Sequence, residues 1–233
     1  AAQSSVVVSV DDPLLDFEHN ILQPVLLINT LLSTDCNKLI FTSSGGTIFG
    51  EPNILPTREE DFAGDPESPY GIGKKKLNEI IISMTINTEL SYSILNLSNV
   101  YGPRQDPHGE AGVVSIFSNK ILNNEKPIIY GDGKQTRDYI YVKDVVNALI
   151  LSSKIESNLF LNVGTGIETS VNHLLETIKS EFASDIEPIY QEPRKGELLR
   201  SVLNSSKAQK KLNWETQFSL NKGIKEVVSW LKT

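Results

Sequence analysis

Residues 38–46 read KLIFTSSGG, and the fold turns on how this stretch is read. A short apolar run, KLIFT, ends in Ser43, Ser44, Gly45 and Gly46, the appearance of a buried parallel strand that stops in a turn. Downstream, Ser68 and Pro69 supply an N-cap and a first-turn proline, and Leu77, Ile80, Ile81 and Met84 follow at helical spacing. SYSILNLSNV (91–100) and NLFLNV (158–163) read as two more strands, each separated from the last by helical or irregular sequence. Strands alternating with helices predict an α/β fold with a parallel sheet. Upstream, residues 16–32 carry Phe17, Ile21, Val25, Leu26 and Ile28 as a helical stripe that Pro24 should kink or shorten. Towards the C-terminus the pattern predicts helices at 115–123, 142–153, 170–182, 205–212 and 220–231, with strands at 127–130 and near Pro188. No repeat or low-complexity block interrupts it.

Composition narrows the class. Of 233 residues, 39% are apolar and 22% charged, which excludes a disordered or fibrous chain. A net charge of -7 argues against a nucleic-acid surface. No apolar run approaches the roughly 18 residues of a membrane helix, and the first residues lack the pattern of a secretory leader. Cys36 is the single cysteine and cannot form an internal disulfide, so a reducing cytoplasm is the expected compartment.

The sharpest chemical pattern is Tyr70 with Lys74, one helical turn apart on one face. A lysine ammonium beside a tyrosine favours the phenolate and makes it a usable base nearer neutral pH. The same pair also occurs as plain helix surface. Ser43 and Ser44 change the weighing, because ligands of a parallel sheet sit beyond the carboxyl ends of its strands. Together the residues have the makings of a relay that removes a proton from an alcohol. Other motifs fall away. GDGKQT (131–136) lacks the first glycine of a phosphate loop, its place being held by Ile128, and GTGIET (164–169) has Thr169 where a dinucleotide turn needs its third glycine. His19, His108 and His173 show no metal-ligand spacing, so no metal is expected.

Five segments in order carry a resemblance: FTSSGGTIFG, SPYGIGK, NVYGPRQ, IYGDGKQTRDYIYVKDV and RKGELLRSV. They resemble the extended short-chain dehydrogenases/reductases, and within them the NAD-dependent nucleotide-sugar 4-epimerases of the UDP-glucose/UDP-galactose kind. The resemblance implies Ser44 as the catalytic serine, with Ser43 the nearby alternative, Tyr70 as base, and Lys74 as its electrostatic partner and ribose ligand. Related dehydratases place an Asp-Glu pair where this chain has Gly45 and Gly46, which favours the epimerase. Tyr70 would take the O4 proton of a UDP-hexose while NAD accepts the C4 hydride, and the 4-keto sugar would turn over before reduction on its other face. The resemblance assigns Arg137 and Arg194 to the diphosphate, Asn99 to the sugar-diphosphate and Glu197 to the uridine ribose. It places Asn20 and Ser43 near the cofactor, although Gln23 and Pro24 depart from the usual Gly-Thr. Ser201, where hexose-restricted relatives carry tyrosine, extends the expected substrates to UDP-GlcNAc and UDP-GalNAc.

The resemblance also implies a Rossmann-like sheet over residues 1–105 with a returning segment near 138–170, and a smaller C-terminal α/β substrate lobe from 106–137 and 171–233. It implies a homodimer through helices near 17–32 and 68–87. The glycine-rich turn that opens such folds is not found here, and AAQS follows the fourth strand in relatives, so the first strands of the sheet are expected to lie outside this chain. Activity of these 233 residues alone is therefore in question. The alternatives are a non-catalytic nucleotide-sugar binding fragment, and a dehydratase or reductase of the same superfamily.

Overall fold

The computed structural model describes residues 3–61, 65–107, 112–194 and 198–233. Helices α1 (Val6–Asp11) and α2 (Pro13–Phe17), a π-helical turn (Glu18–Leu22) and α3 (Gln23–Leu31) precede β1 (Lys38–Ser44). Then come α4 (Pro69–Met84), β2 (Ser91–Leu97), β3 (Asn99–Tyr101), α5 (Val113–Leu122), β4 (Ile128–Tyr130), β5 (Thr136–Arg137), β6 (Tyr139–Tyr141) and α6 (Val142–Ser153). The chain ends with β7 (Leu159–Val163), β8 (Thr169–Ser170), α7 (Val171–Phe182), β9 (Ile189–Gln191), β10 (Arg200–Ser201), α8 (Ser206–Leu212) and α9 (Leu220–Leu231).

The expected parallel sheet is β1–β2–β7, with β1 and β7 as its edges among the described residues. Successive strand residues face opposite sides. On β2, Ile94 therefore packs with Ile28 of α3 and Leu77 and Ile81 of α4, while Leu95 packs with Leu161, Val145, Ala148 and Trp214 on the α6–α8 side. A separate apolar cluster gathers Phe117 of α5, Leu174 and Ile178 of α7, and Ile224 and Val227 of α9. Buried carboxamides cross the sheet: Asn78 Nδ2 donates to Asn96 Oδ1 (3.3 Å), and Asn96 Nδ2 to Asn162 Oδ1 (3.1 Å). Asn162 Nδ2 donates to the Thr57 carbonyl (3.0 Å), and its backbone N–H to Glu59 Oε1 (2.7 Å).

Several details differ from the sequence reading. The expected strand 91–100 breaks at Ser98. There the backbone leaves β2, and Asn99 N–H turns to the Asp138 carbonyl (2.8 Å) to open the β3–β6 pair. Pro24 does not end the helical run, which passes through it. Having no N–H it cannot close an ordinary turn, and the π-turn before it shifts the ladder so that Gln23 N–H reaches the Glu18 carbonyl. Helix α1 carries three valines in its first turn, residues of modest helix propensity, and gave no signal in the sequence. Ser5 caps it, accepting from Val8 N–H at 2.9 Å.

Candidate active site

The site begins at the end of β1 and the start of α4. Ser68 caps α4, its Oγ accepting from Gly71 N–H at 3.1 Å, and Pro69 occupies the first turn. Gly71 lets that turn press against the chain leaving β1: a Cβ there would stand 2.9 Å from the Thr47 carbonyl. Gly45 serves a similar need: a Cβ there would meet Leu203 Cδ1 at 2.5 Å, so the bare residue admits the segment carrying Leu203 to the carboxyl end of the sheet. A Cβ on Gly46 would make only ordinary contact, 3.4 Å from Asn99 Oδ1 and 3.9 Å from Ser201 Oγ.

A cavity of about 460 Å³ opens there, with Ser43, Ser44, Tyr70, Lys74, Asn99 and Gln105 among its walls. Ser44 and Tyr70 both line it, and the Ser44 hydroxyl acts on the Tyr70 phenol. Lys74 Nζ stands over two rings, 5.3 Å from the centroid of Phe41 and 5.6 Å from that of Tyr70. Ser43 Oγ, Ser98 Oγ and Gln105 Oε1 are buried against this cavity without a protein hydrogen bond.

Electrostatics here differ from the simple pairing read in the sequence. Burial pushes the Tyr70 phenol above its ordinary range, the Ser44 hydroxyl opposes that, and the Asp16 charge adds to it. Burial pushes the Lys74 ammonium down, and Asp16 pulls it back up. Lys74 lies at ring distance rather than against the phenol oxygen, and the nearby charge that bears on both groups is Asp16. That residue carried no signal in the sequence, since an acid on a short helix ordinarily faces water.

Asn20 is fully buried behind α4, not in the cavity wall, and its Nδ2 donates to Asp16 Oδ1 (2.8 Å) and to the Gln3 carbonyl (3.0 Å). Arg137 pairs in register with Ser201 across β5–β10, and its Nη1 donates to the Thr136 carbonyl at 2.8 Å. Arg194 lies apart, its guanidinium 3.9 Å above the Tyr130 ring, beside a second hollow of about 460 Å³ bounded by Gly131, Asp132 and residues 190–193. Glu197 and His108 fall outside the described residues.

Two further features tie the C-terminal strands together. Asp138, almost wholly buried, accepts from Thr165 N–H (2.9 Å), Thr165 Oγ1 (2.6 Å), Gly166 N–H (3.1 Å) and Leu203 N–H (3.3 Å). Gly164 is bare because a Cβ would fall 2.4 Å from Asp138 Oδ2, so packing accounts for the glycine of GTGIET. Arg200 grips Glu168 through two hydrogen bonds, one at 2.8 Å, and Glu168 also accepts from Thr136 Oγ1 at 2.6 Å. No group of His, Cys, Asp and Glu able to hold a metal occurs among the described residues. No helix among them is long and apolar enough to cross a membrane.

Comparison with known proteins follows the same geometry. The family profile of GDP-mannose 4,6 dehydratase matches residues 1–227. UDP-glucose 4-epimerase of Mycolicibacterium smegmatis is 42% identical over 234 residues, covering 100% of this chain and 74% of that protein. The crystal structure of UDP-glucose 4-epimerase from Thermotoga maritima with UDP-glucose superposes with a TM-score of 0.97 at 42% identity, over 100% of this chain and 75% of the other. That of the Thermus thermophilus UDP-glucose 4-epimerase complex with NAD gives 0.91 at 37%, over 100% and 76%.

Proposed function

We propose that this chain, which belongs to the GDP-mannose 4,6 dehydratase family of extended short-chain dehydrogenases/reductases, carries the catalytic and substrate-binding residues of an NAD-dependent UDP-hexose 4-epimerase. The observation that carries the reading is that Ser44, Tyr70 and Lys74 line one cavity at the carboxyl end of β1, with Gly45 and Gly46 where a dehydratase needs an acid and a base. The similar epimerases solved with UDP-glucose and with NAD supply the substrate class and the cofactor.

The described residues fit the nicotinamide end of such a cofactor: the hydroxyl of Ser43 is buried and unpartnered on the cavity wall, and Tyr70 and Lys74 flank it. When bound, NAD would supply a hydride acceptor for the sugar C4, with Ser43, Tyr70 and Lys74 holding its nicotinamide end. Tyr70, as phenolate, takes the O4 proton as general base and becomes the phenol, Ser44 hydrogen-bonds the same oxygen, and the Lys74 charge favours the phenolate from which the transfer starts. When reduction follows, Tyr70 returns the proton.

The sugar must turn while the nucleotide stays fixed, so the firm contacts belong to the diphosphate and base. Arg137 and Arg194 are assigned to phosphate oxygens as charge-assisted donors, with Asn99 and Ser201 beside the sugar and Glu197 on the ribose. In this reading residues 1–105 and about 138–170 form the dinucleotide-binding part, and 106–137 with 171–233 the substrate lobe. A homodimer through α3 and α4 accords with the exposed apolar side chains of Phe17, Leu26, Leu27 and Ile72 on that side.

The deciding experiment incubates the protein with UDP-galactose, UDP-GalNAc and NAD and resolves the products. UDP-glucose and UDP-GlcNAc are the expected products. A 6-deoxy-4-keto sugar would identify a dehydratase, and UDP binding without turnover would identify a binding module.

A further inference from the structure

Asp16 is a buried acid to which the proposed mechanism gives no part. It stands on α2 with 2% of its surface exposed. Its Oδ1 accepts from Asn20 Nδ2 at 2.8 Å and from Gln3 Nε2 at 3.0 Å. Its Oδ2 lies 3.3 Å from where a Cβ on Gly73 would be, so the carboxylate meets α4 at the residue before Lys74. Gln3 in turn lines the active-site cavity, and Asn20 ties back to the Gln3 carbonyl at 3.0 Å. A buried carboxylate held by two neutral amides is costly unless a cation stands near.

We propose that Asp16 is a positioning residue for the Tyr70–Lys74 pair, holding its charge and its two amide partners against the turn of α4 that carries Lys74 so that the lysine works as an ammonium. The proposal rests on the epimerase reading for its consequence in turnover, and for the coupling on the approach of the Asp16 carboxylate to α4 beside Lys74. Burial lowers the Lys74 affinity for its proton and Asp16 opposes that, while the same charge raises the Tyr70 phenol. Asp16 thereby favours the ammonium form of Lys74 that the Tyr70 phenolate needs beside it. Around it, Asp11, Asp12 and Glu18 are exposed and His19 is half-buried. On α4, Lys76 pairs with Glu79 and Lys75 is half-buried. On the strands packed beneath, Lys38 and Tyr92 stand at the opposite ends of β1 and β2.

The experiment follows Lys74 by NMR in protein labelled at lysine Cε, the resonance being assigned by its loss in Lys74→Arg. The titration midpoint of Lys74 is expected to move to lower pH in Asp16→Asn and to return towards the wild-type value in Asp16→Glu. In the epimerase assay Asp16→Asn should lower kcat at unchanged KM for the UDP-sugar, with the loss growing as pH rises towards the Lys74 midpoint. An unmoved Lys74 midpoint in a folded Asp16→Asn protein overturns the proposal. Should Asp16→Asn not fold, the Lys74 midpoint is read in Asp16→Ser instead, and an unmoved midpoint there is equally fatal. Neither titration needs turnover, so a wild-type protein without epimerase activity would sink the functional reading and leave the Asp16–Lys74 coupling to be judged on its own.

Discussion

Ser44, the last residue of β1, and Tyr70, in the first turn of α4, meet on the wall of one cavity although 26 positions separate them in sequence. Burial has driven the phenol up, and the serine hydroxyl is the one group described here that draws it back. Replacing Tyr70 by phenylalanine removes the proton acceptor while keeping the ring. Turnover should fall about 10²- to 10⁴-fold with UDP affinity nearly intact, as for loss of a general base. Steady-state kinetics with calorimetric titration of UDP check this, and near-wild-type turnover would remove Tyr70 from the chemistry.

Arg194 stacks on Tyr130 on the exposed rim rather than within the cavity. If it donates a charge-assisted hydrogen bond to the diphosphate, Arg194→Ala should weaken UDP binding by roughly 1.5 to 3 kcal/mol. Because the ring fixes the guanidinium plane, Tyr130→Leu should weaken it in the same direction but less. Calorimetry on both variants decides, and an unchanged UDP affinity in Arg194→Ala would exclude it from the site.

Ser201 faces the bare side of Gly46, close to Asn99. A small residue there leaves room for an N-acetyl group, and Ser201→Tyr fills it. The variant should lose turnover of UDP-GalNAc while keeping that of UDP-galactose. Equal loss on both substrates would mean that the position does not select the sugar.

The Glu168–Arg200 pair predicts a pH effect on stability. Chiefly through the Arg200 hydrogen bond, the Glu168 carboxyl titrates at about 2 rather than 4.5. A carboxyl whose folded value is depressed stabilises above its ordinary value, and that contribution is lost as pH falls from about 4.5 towards 2. The melting-temperature gap between wild type and Glu168→Gln should therefore be present near neutral pH and close through that acid window. It should be small, since Arg200 is 56% exposed and solvent screens the pair. A gap that widens on acidification would contradict the assignment.

The parts of the fold that could be read from the sequence are those with periodicity or punctuation long enough to register. KLIFT before two glycines, and Ser68-Pro69 before a helical stripe, placed β1 and α4, and with them Ser44, Tyr70 and Lys74 at one cavity. The pairs β5, β8 and β10 were invisible because two residues hold no alternation. Asp16 and Gln3 were missed for a different reason. Their role depends on α1 and α2 folding back on α4, where Tyr70 N–H donates to Ser9 Oγ at 3.1 Å, and nothing local announces such a contact. The relation of Arg194 to Tyr130 likewise joins residues 64 apart, subtracting 130 from 194, which no short motif spans.

The asparagines crossing the sheet act as a key for strand alignment. Asn96 lies opposite Ser43 on one side and Asn162 on the other. If β2 slid by one residue against either neighbour, its carboxamide would swing to the opposite, apolar face, and Asn78 and Asn162 would each lose a partner. Every buried amide stranded in this way costs about 1 to 3 kcal/mol. Apolar side chains such as Ile94 and Leu95 would tolerate near-equivalent alignments, so the amides contribute less to holding the strands together than to rejecting the wrong pairing. Ser44 at the end of β1 thereby has one position along the sheet from which to meet Tyr70.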